Sequence, residues 1–276
     1  MILRLFPLLL AISLATGCGP ARGPEGTSNV RPEQGLVSGQ PRLKFLDWQV
    51  VRYALTHDTQ YSLTGEVTPS PVEIRIAFTA SQVHTVADVE GSRARIEVRL
   101  EYVKVERGDP SLARRLSEQT ATLRVSPTGL AEARHSEPGK GPGAPASIAY
   151  LGVALPDRQL QASDRWDVQL SFPIGRLLGR VVPEEHVIPI ELHYTIEPPG
   201  EERGQLLHYS GKADFRFEHA AECASGTLEV KGKTELTRDG SGVVANEESA
   251  SVTAEITMAG ASGSVRVVTS SKLRLP

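Results

Sequence analysis

Apolar residues recur at every second position along most of this chain, the spacing of a strand that buries one face and wets the other. Val72, Ile74, Ile76 and Phe78 alternate with Glu73, Arg75 and Ala77. Ala94, Ile96, Val98, Leu100 and Tyr102 alternate with Arg93, Arg95, Glu97, Arg99 and Glu101, so the outward face of this run interleaves charges of opposite sign. Beyond Tyr102 the apolar phase moves to Val103 and Val105, which predicts a β-bulge or a bend in one long strand. Shorter runs predict strands over 61–67, 121–125, 166–172, 188–196, 209–217, 228–236, 252–258 and 265–275. Across 188–196 the apolar face is Ile188, Ile190, Leu192, Tyr194 and Ile196, and the polar face carries Glu191, His193 and Thr195.

Turn chemistry separates these runs, as in Glu90-Gly91-Ser92, Pro127-Thr128-Gly129, Pro198-Pro199-Gly200 and Asp239-Gly240-Ser241-Gly242. Helical signal is confined to 110–118, with Pro110 at its start, and to 174–178. The connections are too short for repeated crossover helices, so the strands are expected to be antiparallel. The expected class is all-β, with at most one or two short helices. A Pro/Gly-rich stretch, 136–146, divides the strands into a first β half, 43–135, and a second, 147–276. The two halves either share one large curved sheet or half-barrel, or pack as two β-rich units.

The amino terminus follows a different pattern. Arg4 precedes an apolar run from Leu5 to about Ala15, followed by Thr16, Gly17 and Cys18. This is the layout of a secretion signal, 1–17, and the run is short of the roughly 20 apolar residues that span a bilayer. From Gly19 to Arg42 there are five Gly and four Pro in 24 residues with no apolar period. Such a segment, 18–42 with its cysteine, reads as a flexible linker that would hold the body about 25–30 Å from its attachment point.

Leu14-Ala15-Thr16-Gly17-Cys18 resembles the lipobox of bacterial lipoproteins, with Ala15 standing where Leu is usual. The resemblance implies that the signal is cut before Cys18, that the Cys18 sulfur carries diacylglycerol, and that its amino group is acylated, with palmitate among the chains. Two or three acyl chains on one residue anchor a protein to a bilayer for good. Gly19, rather than Asp, after the cysteine implies sorting to the outer membrane, facing the periplasm. The alternative, an ordinary secretory signal with a chance cysteine near its cleavage site, is disfavoured by the position of Cys18.

Loss of residues 1–17 removes one charged residue, Arg4, and takes the net charge from −3 to −4. Nothing in that mildly acidic balance forms the basic stripe of a nucleic-acid binder. The charged outward faces and an aromatic content of 5% also argue against a transmembrane barrel, whose strands carry an apolar outer band and aromatic girdles. With Cys18 lipidated, Cys223 has no intrachain partner and is expected to be a small half-buried residue.

Enzyme motifs are missing: there is no G-x-S-x-G, H-E-x-x-H, P-loop, G-x-G-x-x-G or C-x-x-C. Gly240-Ser241-Gly242 belongs to a polar turn. Two groups come nearest to a metal or thiolate–imidazole site: His219, Glu222 and Cys223 in a presumed loop, and Glu191 with His193, near His186, on one strand face. Solvated polar positions are the favoured reading of both. His57, His84, His135 and His208 stand in unrelated contexts. No cofactor is expected.

Taken together, lipobox, linker and antiparallel sheet resemble uncharacterised β-rich lipoproteins of bacterial envelopes. Leu155-Pro156 followed by Ser163-Asp164-Arg165-Trp166 is similar to a feature in some of those families. The resemblance implies a membrane-anchored, non-enzymatic protein that binds a lipid or other apolar ligand between a curved sheet and a covering segment. The alternative is a structural or assembly module that binds another envelope protein, and a cryptic hydrolase comes third. The faces of Val72, Ile74, Ile76, Phe78, Trp166, Leu170 and Phe172 decide: an open groove of a few hundred Å³ favours a ligand, and a dry core removes its pocket.

Overall fold

The structure, a computed structural model, describes residues 40–134, 146–178, 182–183, 186–201, 203–219 and 222–276. The signal segment, Cys18, the linker up to residue 39, His135 and the Pro/Gly-rich stretch before Ala146 lie outside the described residues.

Twelve strands form a single antiparallel sheet. The first six strands are β1 (Val50–Gly65), β2 (Val72–Glu90), β3 (Arg93–Arg107), β4 (Thr120–Val125), β5 (Leu130–Arg134) and, beyond the Pro/Gly-rich stretch that divides the sequence, β6 (Ala146–Ala149). The last six are β7 (Arg165–Phe172), β8 (Ile188–Glu197), β9 (Leu206–His219), β10 (Glu222–Leu236), β11 (Val243–Met258) and β12 (Ala261–Arg274). Each set of six is a meander in which successive strands pair, and β12 returns to pair with β1 along twelve residues, from Ala54↔Arg274 to Gly65↔Gly263. This is the connectivity of an up-and-down barrel in which one neighbour pair, β6 and β7, is not hydrogen-bonded. The two edges nevertheless approach each other, so the sheet curls almost fully round. Of the two expected arrangements, the one observed is the single large curved sheet, open between β6 and β7, over one continuous core.

Alternation decides which side of each strand faces in. On β8 the predicted apolar set Ile188, Ile190, Leu192, Tyr194 and Ile196 is buried, and the intervening residues are exposed or half-buried. On β12, Val265 and Val267 continue the inner lining, as Leu228 and Val252 do on β10 and β11. The outer face carries cross-strand ion pairs: Arg75 with Asp58 at 2.6 Å, Lys212 with Glu229 at 3.2 Å, and Glu247 between Lys233 at 3.2 Å and Lys272 at 3.5 Å. Each exposed pair contributes little on its own. Their collective effect is orientation, since a charged outer face and an apolar interior are the inverse of a lipid-facing barrel. No described helix is long and apolar enough to cross a membrane.

The phase slip on β3 is a bulge. Ser81 pairs with Glu101 and Thr79 with Lys104, so Ala80 faces two residues, Tyr102 and Val103. Tyr102 takes φ 54 and is 87% exposed. The bulge begins one residue earlier than the alternation implied, and it turns Tyr102 out of the apolar face to which its period assigns it. Val103 and Val105 then pack against the core.

Two short helices, α1 (Leu112–Ser117) and α2 (Ile174–Leu178), lie where expected. Leu112 and Leu116 bury one side of α1 against β3. Ile174, Leu177 and Leu178 of α2 are buried in the connection from β7 to β8. At the opposite end the chain enters the body earlier than the predicted linker boundary at 42. Gln40 donates to the Arg158 carbonyl at 2.8 Å, Arg42 to the Pro156 carbonyl at 3.0 Å, and Leu43 N–H to the Pro127 carbonyl at 2.9 Å.

The bulge is open to test by chemical denaturation. Leu228→Ala, at a site with no exposure, is expected to cost about 2–5 kcal/mol, whereas Tyr102→Ala should stay within about 0.5 kcal/mol of the parent. A Tyr102→Ala loss as large as that of Leu228→Ala would put the ring back inside.

Candidate functional site

The interior is where polar chemistry is concentrated. Registers carry one transverse row across seven strands: His57 on β1, Ser271 on β12, Glu248 on β11, Gly232 on β10, Tyr209 on β9, Tyr194 on β8 and Trp166 on β7. Neighbours in such a row have Cβ atoms about 5 Å apart, so their side chains meet. Gly232 is the gap that shapes it. A Cβ there would lie 2.3 Å from the Tyr209 ring and hydroxyl, so only glycine lets Tyr209 lie across β10. The Tyr209 hydroxyl passes over it and donates to Glu248 Oε2 at 2.8 Å. Tyr194 stacks between Trp166 and Tyr209, with ring centroids 5.5 and 5.3 Å away. The Tyr194 hydroxyl is buried without a hydrogen-bond partner.

The link from β6 to β7 runs through this interior. The Leu151 carbonyl accepts hydrogen bonds from Thr234 Oγ1 and Asn246 Nδ2, both at 2.9 Å. Gly152, at φ 71, would place a Cβ within 2.5–2.7 Å of Thr234, Asn246 and Tyr209, so the close passage requires glycine twice over. Tyr150 meets His84 through its hydroxyl, and His84 meets Gln82 at 2.7 Å. Trp166 closes the route by donating its indole N–H to the Ala154 carbonyl at 2.7 Å. The segment 150–156 therefore occupies the place expected for a ligand between a curved sheet and its cover.

What space remains is small. Leu170, Phe172, Leu192, Tyr209, Glu248 and Ser271 are among the residues that line a cavity of about 30 Å³, room for one or two waters and not for an acyl chain. Ile76, Phe78, Trp166, Leu170 and Phe172 are buried, and Val72 and Ile74 half-buried. His57 Nδ1 lies 2.7 Å from Ser271 Oγ and its Nε2 2.9 Å from Thr59 Oγ1, and Thr59 donates on to Thr269 at 3.2 Å. A serine beside an imidazole is the start of a nucleophilic pair, but both are buried and the cavity admits no substrate. The arrangement satisfies buried polar groups.

Burial also sets the charge states. Desolvation lowers the His57 pKa to about 4, against a smaller opposing pull from Asp58, and lowers that of His84 to about 3, so both imidazoles are neutral near pH 7. Desolvation raises Glu248 to about 7, and the hydrogen bond from Tyr209 works against that rise.

The residues singled out from sequence lie elsewhere. Glu191 and His193 are exposed on the outer face of β8, where His193 Nδ1 meets Asp167 Oδ1 at 2.7 Å and that bond raises the imidazole pKa. His186 packs edge-on against Phe217. His219 and Glu222 are register partners at the mouth of the β9–β10 hairpin, and Cys223, half-buried, pairs with Glu218. The presumed loop is thus the tip of a hairpin between two long strands. Among the described residues no group of three or more His, Cys, Asp or Glu side chains could hold a metal. From sequence, His57 and His84 stand in unrelated contexts and Asn246 and Glu248 go unnoticed, although each continues the inward phase of its strand: His57 follows Tyr53 and Leu55, and Glu248 precedes Ala250 and Val252.

No family model and no curated protein matches the sequence. Among solved structures, the crystal structure of Pseudomonas aeruginosa OccK2 (OpdF) is similar at a TM-score of 0.24 and 8% identity, over 78% of this chain and 63% of that one. The match spans under two thirds of that protein's length, and at this score the likeness carries no assignment.

The buried groups give a pH signature. Between its ordinary 4.5 and about 7, Glu248 binds a proton more tightly folded than unfolded, so its contribution to stability is lost as pH rises through that window. His57 and His84 act in the opposite sense: unfolding takes up protons below 6.5, and stability falls as pH drops toward 4 and 3. Glu248→Gln should match the parent at pH 5 in urea titrations and exceed it by about 1–2 kcal/mol at pH 8. Equal stabilities at both pH values would mean that the carboxylate is solvated.

Proposed function

We propose that the chain is a bacterial envelope lipoprotein, held by acyl chains on Cys18 to the outer membrane and facing the periplasm. On this reading the β-body is non-enzymatic and works as a structural or assembly module that binds another envelope protein. The observation that carries the choice of module over carrier is the occupied interior: the chain's own segment 150–156 takes the place of a ligand, and the cavity beside it holds about 30 Å³. The Ser271–His57 pair, with no substrate space, gives a hydrolase no support. Binding therefore falls to the outer face and the two ends of the barrel.

A lipid or other apolar ligand inside the sheet remains the second reading, because Leu170, Phe172 and Leu192 do line the residual cavity. It requires the 150–156 segment to withdraw, breaking the hydrogen bonds to Leu151.

Anchoring and carriage are tested separately. Labelled palmitate should enter the full chain expressed in a diderm bacterium, and Cys18→Ala should abolish the label and shift the protein from the membrane to the soluble fraction. Persistence in the membrane fraction would remove the anchor. Native mass spectrometry of the Cys18→Ala protein should show the bare polypeptide mass. A stoichiometric lipid adduct would restore the carrier.

A further inference from the structure

Trp48 is held in a state that its own chemistry opposes. Its φ of 64 lies in the left-handed region that bulky residues avoid. The residue is also 77% exposed, although an indole gains from leaving water. A tight turn enforces both. Gln49 N–H donates to the Leu46 carbonyl at 3.0 Å while Gln49 Oε1 accepts from Leu46 N–H at 3.3 Å. Trp48 N–H then donates to the Val86 carbonyl, and Val86 N–H to the Gln49 carbonyl, each at 2.9 Å. Leu46, 69% exposed, and Val50, 47% exposed, flank it. Three large apolar residues thus stand in water within five positions, between Lys44, exposed and 3.8 Å from Asp239 Oδ2, and Arg52, exposed and 3.9 Å from Glu101 Oε2. Asp47 is the single acid from 44 to 52. A backbone held against its preference is a reason to look for what the side chain meets.

We infer that this rim is a membrane contact, with Leu46, Trp48 and Val50 seated at the headgroup level of the bilayer to which Cys18 is joined. The inference rests on the lipoprotein reading proposed above. Its position favours that occupant. The rim lies six residues beyond Gln40, on the end of the barrel where the chain enters. The 21 residues 19–39 cannot carry it more than about 75–80 Å from Cys18 even at full extension. An aromatic and two aliphatics between basic flanks are the composition of an interfacial contact. A second copy of the chain is the poorer occupant, because three side chains fall far short of the roughly 800 Å² per partner of a stable interface.

The chain has two tryptophans, and Trp166 is buried with its indole N–H engaged, so lipid-dependent change reports on Trp48. The lipidated full chain is reconstituted into vesicles of phosphatidylethanolamine with a minority of phosphatidylglycerol, with and without brominated acyl chains. The Cys18→Ser protein is mixed with the same vesicles at millimolar lipid. The expected result is a blue shift and loss of the Trp48 share of the emission on bromolipid, abolished in Trp48→Ser while that variant still floats with the vesicles. Flotation with Trp48 unquenched overturns the contact and leaves the anchor standing. Quenching of the Cys18→Ser protein when palmitate labelling has failed keeps the contact and removes the anchor. Neither flotation nor quenching removes both, and a blue shift without lipid that grows with protein concentration assigns the rim to a second copy and overturns the inference.

Discussion

The constraint on which this molecule depends is that twelve strands must turn their apolar sides toward one interior while two consecutive meanders share a single sheet through the pairing of the first strand with the last. Alternation with period two supplies the sidedness, and any one-residue slip would exchange inside for outside along a whole strand. The bulge at Tyr102 shows how the chain handles such a slip. One extra residue is absorbed between Ser81 and Thr79 of the partner strand, and Val103 and Val105 regain the inner face. The ion pairs on the outer face add sidedness more than stability.

Sidedness explains why the interior could be filled from within. A curled twelve-stranded sheet encloses more volume than its own side chains readily close, and the structure meets that demand with chain. Residues 150–156 pass inside, and hydrogen bonds from Thr234 and Asn246 to one carbonyl hold them there. Gly152 and Gly232 clear the way for the backbone and for Tyr209. Buried polar groups at neighbouring positions are the result of that choice, because a backbone drawn into a core brings amide groups that must be matched.

Much of the fold was legible because its strands obey a simple rule. The runs at 94–100 and 188–196 declared both element and inward face, and 174–178 declared its helix. Most of the missing parts share a physical cause. The first two thirds of β1, the second half of β2 and the start of β11 carry His57, Thr59, Gln82, His84, Asn246 and Glu248 on their inner faces, so an apolar count loses the period where the phase persists. Strands β5 and β6, five and four residues long, are too short to show a period. The polar interior was illegible because its cross-strand partners, from Asn246 and Thr234 at 12 positions to His57 and Ser271 at 214, meet only through register. Glu191, His193, His219, Glu222 and Cys223 drew attention by local spacing, which on a barrel wall places residues at the surface as readily as in a site. The β1–β12 pairing had no sequence signal at all, since nothing local marks which strand will meet the first one.

That last pairing has a consequence for how the molecule comes into being. Tyr61 meets Val267 and Leu55 meets Leu273, contacts spanning almost the entire body, and such closures are slow because a long loop of chain must be ordered before they yield anything. Until β12 is in place, β1 and β11 each present a long bare edge, the geometry that recruits stray strands into aggregates. A protein assembled this way stays vulnerable until β12 docks, and a variant unable to seat that strand would never leave that state.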